Sequence, residues 1–281
     1  MTPYHAYPVG LSTCGNKPLD KQSLQNMKNC GIDHLELSNA SYEDYDFEQI
    51  CQDAAACGQK IWSLHLPFAP FDKLDPSATD PVIRSFTMDF MVSLIRRGSR
   101  AGIDKYIIHP SIEPISDDIR SAKLEASASF LSQLADIAAG YGAVIAVENL
   151  PRTCLGKNSD EILYLLSSND KLRVCFDTNH LLSEDIPTFI RKVGQKIITT
   201  HVSDYDFVNE RHWLPGEGKA DWQAIYTTLK EIDYQGVWMY ELGFSPEKTI
   251  QRRQLTPQDF ADNAHCIFSG NHPAAIGTPS I

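Results

Sequence analysis

No segment approaches the roughly 18 uninterrupted apolar residues of a membrane span. The opening MTPYHAYPVGLSTCG has no basic stretch followed by an apolar one, so a secretory leader is not expected either. A cytoplasmic protein is the expectation. Positive charge is scarce, with 25 Lys and Arg against 36 Asp and Glu and a net charge of -11. That balance weighs against nucleic acid or a membrane as partner, because both are held by a basic face. The seven cysteines form no CxxC pair and their number is odd. Cys51, Cys57 and Cys175 have apolar neighbours and read as reduced core side chains, not as disulfides or a thiolate metal site. No GxGxxG follows an apolar run, which removes support for a dinucleotide site.

What the sequence does contain is eight short apolar or β-branched runs: YPVGLST, IDHLELS, KIWSLHLP, KYIIHP, AVIAVENL, LRVCFD, KIITTHVS and GVWMYELG. Helical periodicity fills the stretches between, as over 46–57, 81–101, 117–140 and 222–232. Gly31, Gly58, Gly102 and Gly140 fall where a helix must turn back into the next run. Strands alternating with helices mean a parallel sheet covered by helices. Eight such units with no Pro/Ser-rich linker fit a single (β/α)8 TIM barrel, typically about 250 residues, over an open doubly wound sheet. The expected division is one barrel domain over residues 1–270 and a flexible tail over 271–281.

The runs end in residues that hold metals: His65, His109, Glu148, Asp177, His201 and Glu241. In a (β/α)8 barrel the carboxyl ends of the strands converge on one face, where active sites are built. Singly, each has an ordinary explanation. A strand-end histidine is commonly a hydrogen-bonded core residue, Glu148 an ion-pair partner and Asp177 a helix cap. Packing alone would put Val, Ile or Leu at such positions, so Glu148, Asp177, His201 and Glu241 together point to a divalent cation that neutralises and collects them. His34 reads as structural, and His5, His265 and His272 as solvated.

The pieces HLPF, IHPS, VENLPRT, VCFDTNH, HVSDYD, RHWLPGEGKADW and YELG resemble, in order and spacing, the xylose-isomerase-like barrel superfamily. That superfamily holds sugar and sugar-phosphate isomerases and epimerases and the apurinic endonucleases of the endonuclease IV type. The resemblance implies one Mn2+, Mg2+, Co2+ or Zn2+ at the mouth on Glu148, Asp177, His201 and Glu241. It implies a sugar isomerase or epimerase that abstracts a proton beside a carbonyl through a metal-stabilised enediolate, with Glu148 and Glu241 as the acid/base pair. His65, His109, His180, Arg211 and His212 would then bind substrate, and Trp62, Phe68 and Trp213 would wall off water.

The endonuclease alternative places three zinc ions on His65, His109, Glu148, Asp177, His180, His201, Glu210, His212 and Glu241. Glu210 departs from that pattern, which carries the shorter Asp there. A sugar-binding protein without turnover is a third reading, opposed by the retained Glu148 and Glu241 pair. No basic or glycine-rich cradle marks a phosphate site, which favours a free sugar, an inositol-type polyol ketone or a keto acid. The resemblance allows a homo-oligomer, with no segment marking its interface. The YEDYDFEQ segment and the loop over 204–219 are expected to shape specificity.

Overall fold

Each apolar run becomes a short parallel strand, and each periodic stretch the helix that follows it. The computed structural model describes residues 7–15, 17–39 and 41–280; His5 lies outside the described residues. The strands are β1 (Val9–Ser12), β2 (Ile32–Ser38), β3 (Lys60–His65), β4 (Lys105–Ile108), β5 (Val144–Glu148), β6 (Arg173–Asp177), β7 (Ile197–His201) and β8 (Trp238–Tyr240). They alternate with α1 (Lys21–Asn29), α2 (Phe47–Ala56), α3 (Pro81–Arg100), α4 (Asp117–Gly140), α5 (Ser159–Leu166), α6 (Ile186–Val193), α7 (Trp222–Glu231) and α8 (Pro257–Phe268).

Strand order runs β7-β6-β5-β4-β3-β2-β1-β8, all pairs parallel. Because β8 is only three residues long, its seam with β7 shrinks to a parallel bridge between Val202 and Tyr240. There the Val202 N–H donates to the Met239 carbonyl and the Glu241 N–H to the Val202 carbonyl. The result is a closed (β/α)8 barrel.

The helix starts follow local chemistry. Asp20, Asp46, Asp80, Asp185 and Asp221 accept backbone N–H groups at five N-caps, donors that would otherwise be orphaned. One turn differs from expectation: α4 runs through Gly140, and the left-handed conformation falls on Gly142, φ 72°.

The main core lies between sheet and helices, while Ile107, Ala146 and Cys175 form a separate small apolar plug within the barrel. The layer above that plug is polar, which leaves the mouth free for chemistry. Cys57 and Cys175 are buried free thiols as expected, whereas Cys51 is only half-buried. Residues 271–280, expected as a loose tail, carry β10 (Thr278–Pro279), which pairs antiparallel with β9 (Ile250–Gln251). The Gly277 N–H also donates to the Glu217 carboxylate, at 2.8 Å. Among the described residues no helix is long and apolar enough to cross a membrane.

Candidate active site

Six side chains at the carboxyl ends of β3 to β8 meet above the plug. Glu148, Asp177, His201 and Glu241 each present one ligand atom, all within 4.8 Å of one another, and all four residues are buried. His201 Nδ1 lies 3.3 Å from Glu148 Oε1 and 3.1 Å from Glu241 Oε2. Glu148 Oε1, Asp177 Oδ2 and His201 Nδ1 are buried with no hydrogen-bond partner among the described residues. Such orphaned groups cost free energy unless something neutralises them. Three carboxylates and one imidazole suit a divalent cation of the Mg2+, Mn2+, Co2+ or Zn2+ kind, so the donor set fits the expected metal.

Charge in the ion-free cluster is shared unevenly. Burial pushes the Asp177 carboxyl up to about 8, reinforced by the charges of Glu148 and Glu241. Burial opposes ionisation of Glu241 too, yet the charge of the adjacent His201 brings it down to about 2. His180 is raised to about 10: burial lowers it, but the Asp177 charge and the Glu210 hydrogen bond outweigh burial. Protons thus stand where a cation would, as expected when carboxylates crowd a low-dielectric site.

Glu148 is gripped on its other oxygen. Oε2 lies 3.1 Å from His65 Nε2 and 3.3 Å from His109 Nε2, leaving Oε1 for the cluster. Asn149 fixes the neighbouring strand end, accepting from the Asp177 N–H and donating to the Asp177 carbonyl, while its own carbonyl accepts from His180 Nδ1 at 2.9 Å.

A cavity of about 330 Å³ opens outward from the cluster, lined among others by His65, His109, Glu148, His180, Glu210, His212 and Glu241. That volume suits a small ligand. Phe68 is stacked on His109 with centroids 4.4 Å apart, and Phe71 joins it on the wall. Opposite, Arg152 holds Glu113 through two guanidinium nitrogens and reaches Glu210 at 3.3 Å. His180, Glu210 and His212 form a second group whose ligand atoms lie within 4.8 Å of one another.

The structure therefore brings His65, His109, His180 and His212 to the cavity but not Trp62, Arg211 or Trp213. Trp62 stands three residues before His65 on β3, about 10 Å lower at strand rise. Its indole donates to Thr199 Oγ1, and the Lys105 ammonium sits 4.0 Å from the ring centroid. Glu210 and His212 line the cavity and Arg211 and Trp213 do not, in a loop that turns through the left-handed region at His212, φ 47°. The Arg211 guanidinium is bound to Asp206 at 2.7 Å, and the Trp213 indole donates to Thr249 Oγ1. The YEDYDFEQ segment lines a separate hollow with Arg97 and Arg100.

Sequence reasoning also missed Glu36, Glu113 and Arg152. Glu36 carried a signal, a carboxylate inside the apolar run IDHLELS. Glu113 and Arg152 sit in loops, where no periodicity marks them.

A family model described as xylose isomerase-like TIM barrel matches residues 24–259. An uncharacterized protein of Methanocaldococcus jannaschii is 29% identical over 178 residues, covering 60% of this chain and 61% of its own length. An inosose isomerase of Bacillus velezensis is 30% identical over 154 residues, covering 51% of this chain and 55% of that one. The match thus spans between half and two thirds of these relatives. Among solved structures, a D-tagatose 3-epimerase-like protein superposes with a TM-score of 0.77 at 21% identity, covering 94% of this chain and 96% of that one. A D-psicose 3-epimerase in the presence of D-fructose gives 0.75 at 15% identity, covering 94% and 97%. Those likenesses establish the fold, and the family model establishes the lineage: the chain belongs to the xylose isomerase-like TIM barrel family.

Proposed function

We propose that the protein is a sugar isomerase or epimerase that moves a proton on carbon next to a carbonyl, using one divalent ion. The observation that carries this reading is the pair Glu148 and Glu241, both within 3.3 Å of His201 Nδ1, beside buried donor atoms that lack partners. Glu148, Asp177, His201 and Glu241 would hold the ion. Bound there, it would supply Lewis-acid polarisation of the carbonyl and adjacent hydroxyl oxygens and so favour the enediolate.

The remaining work belongs to side chains. One of the two glutamates removes the proton from the carbon beside the carbonyl. Return by the other, from the opposite face of the same carbon, epimerises; delivery by one base to the adjacent carbon isomerises. His180 and His212 hold substrate hydroxyls, and Phe68 with Phe71 keeps bulk water off the apolar edge of the sugar. The lining contains no lysine among the described residues, and its arginine, Arg152, is engaged by Glu113 and Glu210. A phosphate would find no free cation, so the reading favours an unphosphorylated ketose or polyol ketone. The names of the inosose isomerase and D-tagatose 3-epimerase-like relatives support the same chemistry. The reading places the enzyme in the cytoplasm, with a small carbohydrate and not nucleic acid or a membrane as its partner.

A second reading has one specific observation behind it. His65 and His109 on Glu148, with His180, Glu210 and His212 grouped nearby, match the nine-residue set of a trinuclear zinc phosphodiesterase of the endonuclease IV kind except for Glu210, where that set has Asp. The net charge of -11 and the carboxylates Glu113 and Glu247 on the cavity wall make DNA the poorer ligand. The test is incubation of the metal-loaded protein with a panel of ketoses and inososes in D2O. Deuterium appearing at a carbon beside the carbonyl supports the sugar reading. Cleavage of abasic DNA with no exchange into any sugar would replace it by the second.

A further inference from the structure

We infer that Glu36 is a positioning residue that fixes the ring of His201, and that this sets how tightly the mouth binds a divalent ion. The inference rests on the single-ion reading above and assigns a role to a residue outside its ligand set. Glu36 lies on β2, and in the sheet β2 is separated from β7 by β1 and β8. The contact therefore crosses the barrel interior just below the mouth.

The Glu36 carboxylate is fully buried. His201 Nε2 lies 2.9 Å from Oε1 and 3.1 Å from Oε2, and Ser63 Oγ donates to Oε2 at 2.7 Å. A buried carboxylate persists only when paired and hydrogen-bonded, and packing offers no reason for glutamate in that layer.

Imidazole geometry supplies the reason. The two ring nitrogens sit on different edges, so a hydrogen bond at one decides what the other presents. Nε2–H donated to Glu36 leaves the Nδ1 lone pair for the mouth. There it meets Glu148 Oε1 and Glu241 Oε2 at 3.3 and 3.1 Å, with no hydrogen-bond partner of its own among the described residues. A carboxylate behind a ligating histidine also raises the basicity of the ligand nitrogen and removes the freedom of the ring to rotate. Ser63 completes the set by holding Glu36 itself.

The test uses the full chain and zinc as the probe ion. Zinc affinity is measured by calorimetric competition for wild type, Glu36→Gln and Glu36→Leu, with ion-free melting temperature as a check on folding. The His201 Nε2 proton is followed by NMR in ion-free and loaded protein. Glu36→Leu is expected to weaken zinc binding by about 10- to 100-fold, the range found when such outer partners are lost. Glu36→Gln, which keeps a carbonyl acceptor but no charge, is expected to fall between, and it serves if the leucine variant does not fold. In both, the Nε2 proton should move upfield and exchange faster with water.

Zinc affinity within about threefold of wild type in the glutamine variant, with an unmoved Nε2 resonance, would overturn the inference. A wild type that takes up no zinc while the Nε2 proton still responds to Glu36→Gln would sink the metal reading and leave the Glu36–His201 contact standing. The two failures are thus separable.

Discussion

Glu148 and Glu241 approach the same nitrogen: His201 Nδ1 is 3.3 Å from Glu148 Oε1 and 3.1 Å from Glu241 Oε2. Two carboxylates on one ion can face the two faces of a planar enediolate, which is what inversion at one carbon requires. A positioned acid/base contributes about 10²- to 10⁴-fold. At saturating metal, Glu148→Gln and Glu241→Gln should each reduce solvent-deuterium exchange into the sugar by that range, while sugar binding measured calorimetrically persists. Turnover surviving both changes would exclude this pair as the acid and base.

The ion-free protein should lose stability as pH rises from about 6.5 to 9. His180 titrates at about 10 in the fold against an ordinary 6.5, so its contribution is whole below pH 6.5 and drains away as pH climbs through 10. Asp177, raised from 3.8 to about 8, acts in the same direction, because its proton is lost only at a cost in a crowd of carboxylates. A bound cation takes the place of those protons. The gain in melting temperature on adding Mn2+ should therefore grow with pH; ion-free protein that melts higher at pH 9 than at pH 6.5 would contradict the assignment.

Asp204 organises the loop that carries Glu210 and His212. Its carboxylate accepts from the N–H groups of Tyr205, Gly216 and Ala220 and from the Trp222 indole. A Cβ on Gly218 would lie 2.2 Å from Asp204 Oδ1, too close to be absorbed without moving the loop. Gly218→Ala should cost about 1–3 kcal/mol, the range for overpacking a close-packed site, and raise KM through displaced His212. Denaturant unfolding and steady-state kinetics on one preparation check both.

Arg152→Met removes the cation shared by Glu113 and Glu210 and leaves two carboxylates repelling each other across the wall. KM for the sugar should rise about tenfold, near 1.4 kcal/mol, with kcat changed much less, the pattern of lost uniform binding. Equal loss in kcat would instead give Arg152 a role in the chemical step.

Trp62→Phe is the converse case. With its indole bonded to Thr199 on the barrel floor, the change should cost about 1 kcal/mol of stability and leave KM and kcat as they were. A large rise in KM would return Trp62 to the mouth.

The contrast between Trp62 and His65 shows what was legible in the sequence. The barrel could be read because hydrophobic periodicity is local and each strand–helix unit repeats it. The cluster at the mouth could be read because a strand end has one position relative to the mouth, and Glu148, Asp177 and His201 close their strands. An aromatic three residues earlier shares the run but not the height, so nearness in sequence misplaced Trp62. Arg211 and Trp213 failed for another reason: the left-handed turn at His212, φ 47°, and the Asp204 to Trp213 bridge shape the loop, features no composition reveals. Arg152 and Glu113 meet across two loops only after the barrel has closed.

Metal content per chain tests the central claim most directly, by elemental analysis of protein purified without chelator or nickel affinity. About one divalent ion per chain is expected from the partnerless atoms on Glu148, Asp177 and His201 with Glu241 beside them. About three zinc ions per chain would contradict it and make phosphodiester hydrolysis the activity to assay.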